Sequence, residues 1–367
     1  MGKVKVGIIG CGNISQIYLE NCGKVYKNLE VAAVADLIHD RAKAKASEHG
    51  IAKACTVGEL LADPEIKIVV NLTIPNAHAD VCLKALEAGK SVYVEKPLSV
   101  SRDDGRRIKD LAAKKGLLAG GAPDTFLGGG IQTCRKIIDD GWIGRPIAAT
   151  AFMMGHGHET WHPDPEFYYK PGGGPLFDMG PYYIHALVNL LGPIRRVSAS
   201  AKAAFETRLI TSQPKHGTVI KVETPTHLAG TLDFECGAVG TVIMSFDIWG
   251  HTCPCIEIYG SEGTIKVPDP NTFGGPVLLK RYYDGEWVKM PLTHGYTENA
   301  RGLGVADMAS ALVSGRKPRA GVDLTFHTLD VMQGFLDSSD SGRSHVPETR
   351  CERPAMMPSG LALGEID

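Results

Sequence analysis

The stretch Val4-Lys5-Val6-Gly7-Ile8-Ile9-Gly10-Cys11-Gly12-Asn13-Ile14-Ser15 carries a short apolar run into a glycine turn and then into a helical pattern through Ile17, Leu19 and Glu20. Many proteins grip a dinucleotide with a buried strand, a glycine turn and a helix start. The glycines let the backbone approach a pyrophosphate, and the first N–H groups of the helix point at its charge. A glycine pattern alone is weak, so its surroundings decide its meaning. A second apolar run, Leu29-Glu30-Val31-Ala32-Ala33-Val34-Ala35, ends at Asp36. That is near the offset, about 20 residues, at which a carboxylate accepts hydrogen bonds from the adenosine ribose. Ser15 stands where the usual pattern has its third glycine.

Further along, strand-like and helix-like segments alternate up to residue 122. Ile66 to Leu72 reads as a strand ending at Thr73-Ile74-Pro75-Asn76, with a helical pattern after it. Ser91-Val92-Tyr93-Val94 reads as a strand closing on Glu95-Lys96-Pro97, followed by a helix from Arg102 to Lys115 and the short strand Leu117-Leu118-Ala119. Such alternation predicts an α/β domain, a parallel sheet with helices on both faces and its ligand beyond the C-terminal strand ends. Gly10, Asp36, Thr73 and Glu95 all fall at that edge. A lysine there, before a proline that fixes the turn, is placed to point into the cofactor crevice.

From residue 123 the texture changes to an α+β pattern. Strand runs recur between 194 and 290, with turns such as Glu235-Cys236-Gly237 and Asp284-Gly285 between them. They predict hairpins and an open, largely antiparallel sheet. Helices are expected at Gly130–Asp140, Tyr182–Leu191, Val305–Ser314 and Leu324–Ser338. The expected domains are 1–122 for the dinucleotide, 123–346 for substrate and oligomerisation, and 347–367 as an extended C-terminal arm broken by prolines.

With 367 residues, 43% hydrophobic and 22% charged, the composition is that of a soluble globular protein with two cores. A net charge of -2 offers no electrostatic footprint for nucleic acid or an anionic membrane. No apolar stretch approaches the roughly 20 residues of a membrane-spanning helix. The start leads directly into a strand, which leaves no room for a signal peptide. The nine cysteines are dispersed, without CxxC pairs. Reduced thiols, a cytoplasmic setting and no metal are therefore expected.

Four signatures in order resemble the glucose-fructose oxidoreductase/inositol dehydrogenase/MocA (Gfo/Idh/MocA) family over nearly the whole chain. They are the glycine turn, Thr73-Ile74-Pro75-Asn76-Ala77-His78, Glu95-Lys96-Pro97, and Gly172-Gly173-Gly174-Pro175-Leu176-Phe177-Asp178-Met179-Gly180. The resemblance implies an NAD(P)-dependent oxidoreductase acting on a CH–OH group of a sugar, glycoside or cyclitol, with an open-sheet second domain that mediates homodimers or homotetramers. It matches the family's catalytic lysine to Lys96 and its catalytic aspartate to Asp178. Tyr182 stands where many members carry a histidine, as it does in glucose-fructose oxidoreductases, and His185 stands three residues on, where relatives often have an aspartate.

Pro181 suits a first helical turn, with Asp178 just before it. Asp178, Tyr182 and His185 then share one helix face. An imidazole is a better base near neutrality than a phenol. His185 is therefore the expected base, with Tyr182 as the alternative and Lys96 as the cation that stabilises the alkoxide. Expected cofactor contacts are Gly10, Gly12, Asn13, Ile14, Asp36, Arg41, Thr73, Pro75, Asn76, His78, Glu95 and Lys96. Asp36 favours NAD over NADP, because a carboxylate repels a 2′-phosphate; Arg41 is the competing cation. The substrate is expected against Lys96, His158, Trp161, His162, Tyr168, Asp178 and Tyr182. Lys170 is a further hydroxyl partner, with Trp249 and His251 near the same cleft. The leading function is an NAD-dependent sugar or glycoside dehydrogenase, with pyranoside C3 as one case. The alternatives are an inositol dehydrogenase, an oxidoreductase that retains its cofactor, and a non-enzymatic NAD(H)-sensing regulator.

Overall fold

The structure, a computed structural model, describes residues 2–367. The first domain is built from β1 (Val4–Ile9), α1 (Ser15–Lys24), β2 (Leu29–Ala35), α2 (His39–His49), β3 (Ala54–Cys55), α3 (Val57–Ala62), β4 (Ile68–Asn71), α4 (His78–Glu87), β5 (Ser91–Val94), α5 (Arg102–Lys115) and β6 (Ala119–Gly121). Every strand pair is parallel, in the order β3-β2-β1-β4-β5-β6. Strands β4 and β5 are buried on both faces, as near-continuous apolar runs require. The order reverses direction between β1 and β4, and the crevice of a doubly wound sheet lies at that reversal.

The second domain holds α6 (Gly129–Asp139), β7 (Pro146–Met154), α7 (Gly174–Leu191), β8 (Ile194–Lys202), β9 (Thr207–Leu209), β10 (Val219–Lys221), β11 (His227–Phe234), β12 (Val239–Ser245), β13 (Ile256–Gly260), β14 (Gly263–Val267), β15 (Val277–Arg281) and β16 (Val288–Met290). Eight of these strands form one sheet, ordered β16-β15-β14-β13-β7-β12-β11-β8. It is antiparallel throughout except where β12 runs parallel to β7. Strands β9 and β10 pair as a separate ribbon. Of the last helices, α8 (Leu303–Ser314) packs back on the first domain, where Gly304 lies against Tyr93, and α9 (Val322–Ser341) lies between β8 and α7 of the second domain and α5 and β6 of the first, where Gly120 bridges Gly321.

One apolar core runs through both domains, and a satellite of Tyr169, Ile210, Ile220 and Phe246 sits under the loop that precedes α7. Residues 347–367 lack regular structure but are tied down as a strap. The Met357 N–H donates to Gln132 at 2.8 Å, the Lys27 N–H donates to the Gly364 carbonyl at 3.1 Å, and the Asp367 carboxylate meets Arg316.

Helix α7 departs from expectation: it starts at Gly174, eight residues before Tyr182, so Pro181 lies inside it and Asp178 is helical. Pro175 supplies the preorganised start instead. Pro181 removes the N–H that the Phe177 carbonyl would have accepted and opens that turn.

Candidate active site

At the glycine turn, Gly10 has φ +102°, and a Cβ there would lie 2.6 Å from the Leu72 carbonyl, so only glycine passes between β1 and β4. Around Gly12 a Cβ would meet nothing within 4 Å, so its backbone is open to the crevice. Ser15, in the third glycine's place, closes the turn by donating from its hydroxyl to the Gly12 carbonyl at 2.6 Å. Asp36 folds over the turn: its carboxylate accepts from the Cys11 N–H at 2.7 Å and the Ile38 N–H at 2.8 Å. Beside it Cys11, Gly12, Asn13, Gln16, Arg41 and Lys45 line a hollow of about 470 Å³. Open backbone, two cations and a carboxylate at the strand end fit a dinucleotide, whose pyrophosphate would face the Gly12 backbone and whose adenosine ribose would face Asp36. Lys45 and Gln16 were not singled out from the sequence, although a cation one helical turn beyond Arg41 is visible there.

Two expected cofactor contacts are corrected. His78 is fully buried, its ring nitrogens 2.7 Å from the Pro97 carbonyl and 3.0 Å from the Thr73 carbonyl; it fastens the β4 end to the β5 end and faces no crevice. Glu95 also turns inward, accepting from the Tyr18 hydroxyl at 2.8 Å and from the Lys96 N–H at 2.9 Å. Ile14, Thr73, Pro75 and Asn76 keep at least part of their surface in solvent at the strand ends. Thr73 is held by Asn71, whose side-chain oxygen accepts from its hydroxyl at 2.7 Å.

Lys96 leaves β5 toward α7. Its ammonium donates to the Asp178 carboxylate and to the Asp178 backbone carbonyl, each at 2.7 Å. Desolvation works against the charge, but Asp178 and the nearby Tyr182 outweigh it, so the pKa is raised and Lys96 is cationic. Tyr182 presents its ring 5.5 Å from the ammonium. Burial raises its pKa against the opposing pull of Lys96 and Arg301, which keeps the phenol a proton donor.

The other carboxylate oxygen of Asp178 lies 3.5 Å from Nε2 of His158, which arrives from the loop after β7. That ring stacks on Tyr168 at 3.8 Å and meets Phe246 edge-on at 4.7 Å. Desolvation lowers the His158 pKa against the pull of Asp178, so the imidazole is neutral near pH 7 and able to take a proton.

His185 is not in this cluster. It lies on the same helix face as Asp178, but seven residues take it about 10 Å further along the axis, into the core. It is 1% exposed, its Nδ1 lies 3.0 Å from the Pro123 carbonyl and its ring packs against Phe126. Burial pushes its pKa down to about 4.

Trp161, 63% exposed, and His162 border His158, with His162 Nδ1 accepting from the Asp164 N–H at 3.0 Å. Lys170 is turned away and paired with Glu223 at 3.1 Å. Trp249 is 83% exposed and stacks on His156, and His251 is exposed beyond it. Arg301, missed in the sequence, is held by Asn299 and Asn271 and borders Tyr182. No local signal marks it, because Tyr182 and Asn271 lie far from it in the chain.

Two family profiles match the chain. One described as "Oxidoreductase family, NAD-binding Rossmann fold" covers residues 4–120, and one described as "GFO/IDH/MocA C-terminal domain" covers residues 131–266. The chain is 28% identical over 214 residues to an uncharacterized oxidoreductase of Schizosaccharomyces pombe, over 55% of this chain and only 56% of that protein's length. It is 27% identical over 271 residues to a scyllo-inositol 2-dehydrogenase (NAD(+)) of Bacillus subtilis, covering 72% and 74%. Levoglucosan dehydrogenase, solved in complex with NADH and L-sorbose, shares the fold with a TM-score of 0.82 at 19% identity, covering 95% of this chain and 100% of that one.

Proposed function

The chain belongs to the Gfo/Idh/MocA family of NAD-binding oxidoreductases, and on that premise we propose that it oxidises a secondary carbinol of a sugar or glycoside to the ketone, pyranoside C3 being one case. The observation that carries this reading is the row Lys96, Asp178 and His158: a cation, an anion and a neutral imidazole meeting at one carboxylate, beside the dinucleotide crevice.

When bound, NAD would supply the hydride acceptor, and Gly12, Asn13, Asp36, Arg41, Lys45 and Thr73 would hold it. Lys96 stabilises the negative charge that grows on the carbinol oxygen, in a site where few competing dipoles move. Asp178 fixes the ammonium through two hydrogen bonds and so sets where that charge is met. His158 takes the hydroxyl proton at Nε2, and the resulting imidazolium faces the Asp178 carboxylate. Tyr182, a donor, orients a neighbouring hydroxyl. The aromatic faces of Tyr168 and Trp161 suit the apolar C–H faces of a pyranose ring.

A cyclitol is the second reading, favoured by the relationship to an inositol 2-dehydrogenase; an inositol carbinol asks the same chemistry of the site. Absorbance of NADH produced from free sugars, methyl glycosides and inositols tests both. Turnover of glycosides over inositols supports the first reading, the reverse supports the second, and no turnover with NADH still bound would overturn both in favour of a sensing role.

A further inference from the structure

Behind His158 lies a charged cluster that the chemistry above leaves without a task. Arg208, Glu159 and Asp247 are each at most 7% exposed in their side chains. The Arg208 guanidinium donates to Glu159 at 2.9 Å and to the Phe246 carbonyl at 3.0 Å, and it also meets Asp247. Burying one cation with two carboxylates is costly, and well-packed apolar side chains would often serve stability as well.

The Phe246 wall of the His158 ring and the backbone that carries the ring are fastened to this cluster. Phe246, edge-on to the imidazole, is held through its carbonyl by Arg208. Tyr169, next to the stacking Tyr168, donates to Glu159 and accepts from the His158 N–H at 3.4 Å. Glu159 follows His158 directly, and its own carbonyl accepts from the Thr211 N–H at 2.9 Å and the Ser212 N–H at 3.1 Å, pinning the loop to the ribbon. Gly157 has φ +50°, and a Cβ there would collide with the Glu159 carboxylate and the Tyr169 hydroxyl, so the backbone leaves room for that bond.

We propose that Arg208, acting through Glu159, is the positioning residue that holds the His158 imidazole against Asp178, so that one buried guanidinium on the ribbon sets the geometry of proton transfer. This rests on reading His158 as the proton acceptor.

The test follows the His158 ring by histidine carbon–proton NMR in the full-length protein saturated with NADH, assigned with His158→Gln. The charged and titratable groups facing the ring are Asp178, Lys96, His162, Glu159 and Tyr168. None of them changes in Arg208→Lys, which keeps the charge but loses the planar fork. Asp247→Asn weakens the anchor of Arg208 while leaving every group that faces His158 in place, and it serves if Arg208→Lys does not fold. In either variant the His158 midpoint should rise toward the ordinary histidine value as the ring loosens into water. Turnover should fall about 10–100-fold with the KM for NAD unchanged, as expected for a misplaced group. Glu159→Gln should cost nothing further in a His158→Gln background. An unmoved titration, or independent losses in the double variant, would overturn the proposal. If no carbinol is oxidised, the proposed function fails while the titration still decides the positioning role.

Discussion

Lys96 and Asp178 are joined twice, the ammonium donating to the carboxylate and to the backbone carbonyl of the same residue, each at 2.7 Å. One bond alone would leave the ammonium free to swing on its flexible stem. Two bonds to a helical residue fix it relative to α7 as well as to β5, and so tie the end of β5 in the first domain to α7 in the second.

Replacing Lys96 by Met should lower kcat about 10²–10³-fold, the loss seen when one preorganised electrostatic partner of a developing oxyanion is removed. NADH affinity should change less than threefold. Steady-state kinetics with the best carbinol of the panel and fluorescence titration with NADH check this, and near-normal turnover would refute the role.

His158 and His185 make opposite predictions. His158→Gln should lower kcat by about 10²–10⁴-fold, the usual contribution of a general base, with little change in Tm. His185→Gln should lower Tm by several degrees, because a buried group loses its packing and its bond to Pro123. The fall in kcat should stay under tenfold. Should His185→Gln abolish turnover in a normally stable protein, the assignment is reversed.

Acid stability carries the same signature. His185 is held near 4 when folded against an ordinary value of about 6.5. Between those values the unfolded chain binds the extra proton, so stability is complete above about pH 6.5 and falls as pH drops toward 4. The loss from this one residue reaches about 3 kcal/mol at most. His327, likewise pushed down to about 4 by burial, adds to it in the same window. Thermal melts from pH 8 to pH 4 should show the decline, and it should be shallower in His185→Gln.

The glycine turn separates folding from binding. Gly10→Ala brings a methyl onto the Leu72 carbonyl at a positive φ and should yield little folded protein. Gly12→Ala meets no neighbour, so the chain should keep its Tm within a few degrees and lose about tenfold or more in NADH affinity as the methyl fills the crevice. Differential scanning fluorimetry alongside NADH titration distinguishes the two.

Cofactor choice is tested at Asp36. Asp36→Ser should weaken NADH about tenfold and narrow the gap to NADPH, since Arg41 and Lys45 already stand beside the crevice. Parallel titrations with the two reduced cofactors measure it.

The first domain was legible because its signals are local. The parallel strands are mostly apolar runs, and their ends carry Gly12, Asp36 and Lys96, which fall at one edge of the sheet once the strand order is known. The hairpins of the second domain were equally plain at Glu235-Cys236-Gly237 and Asp284-Gly285. In the sequence Pro181 makes α7 look too short, because a proline suits a first helical turn, whereas the helix begins at Gly174 with Pro175. The helical period put Asp178, Tyr182 and His185 on one face correctly, but periodicity carries no depth. Two turns separate the cleft from the core, and that distance turned a candidate base into a packing residue.

The chain alone determines an α/β dinucleotide domain followed by an open sheet, and the glycine turn, because alternating burial and backbone conformational demand are written residue by residue. Only the folded molecule decides which imidazole reaches that aspartate, and that His158 is backed by Arg208 from a ribbon 50 residues away in the chain. Desolvation and hydrogen-bond partnership depend on what packs from elsewhere, and no neighbour in sequence announces it.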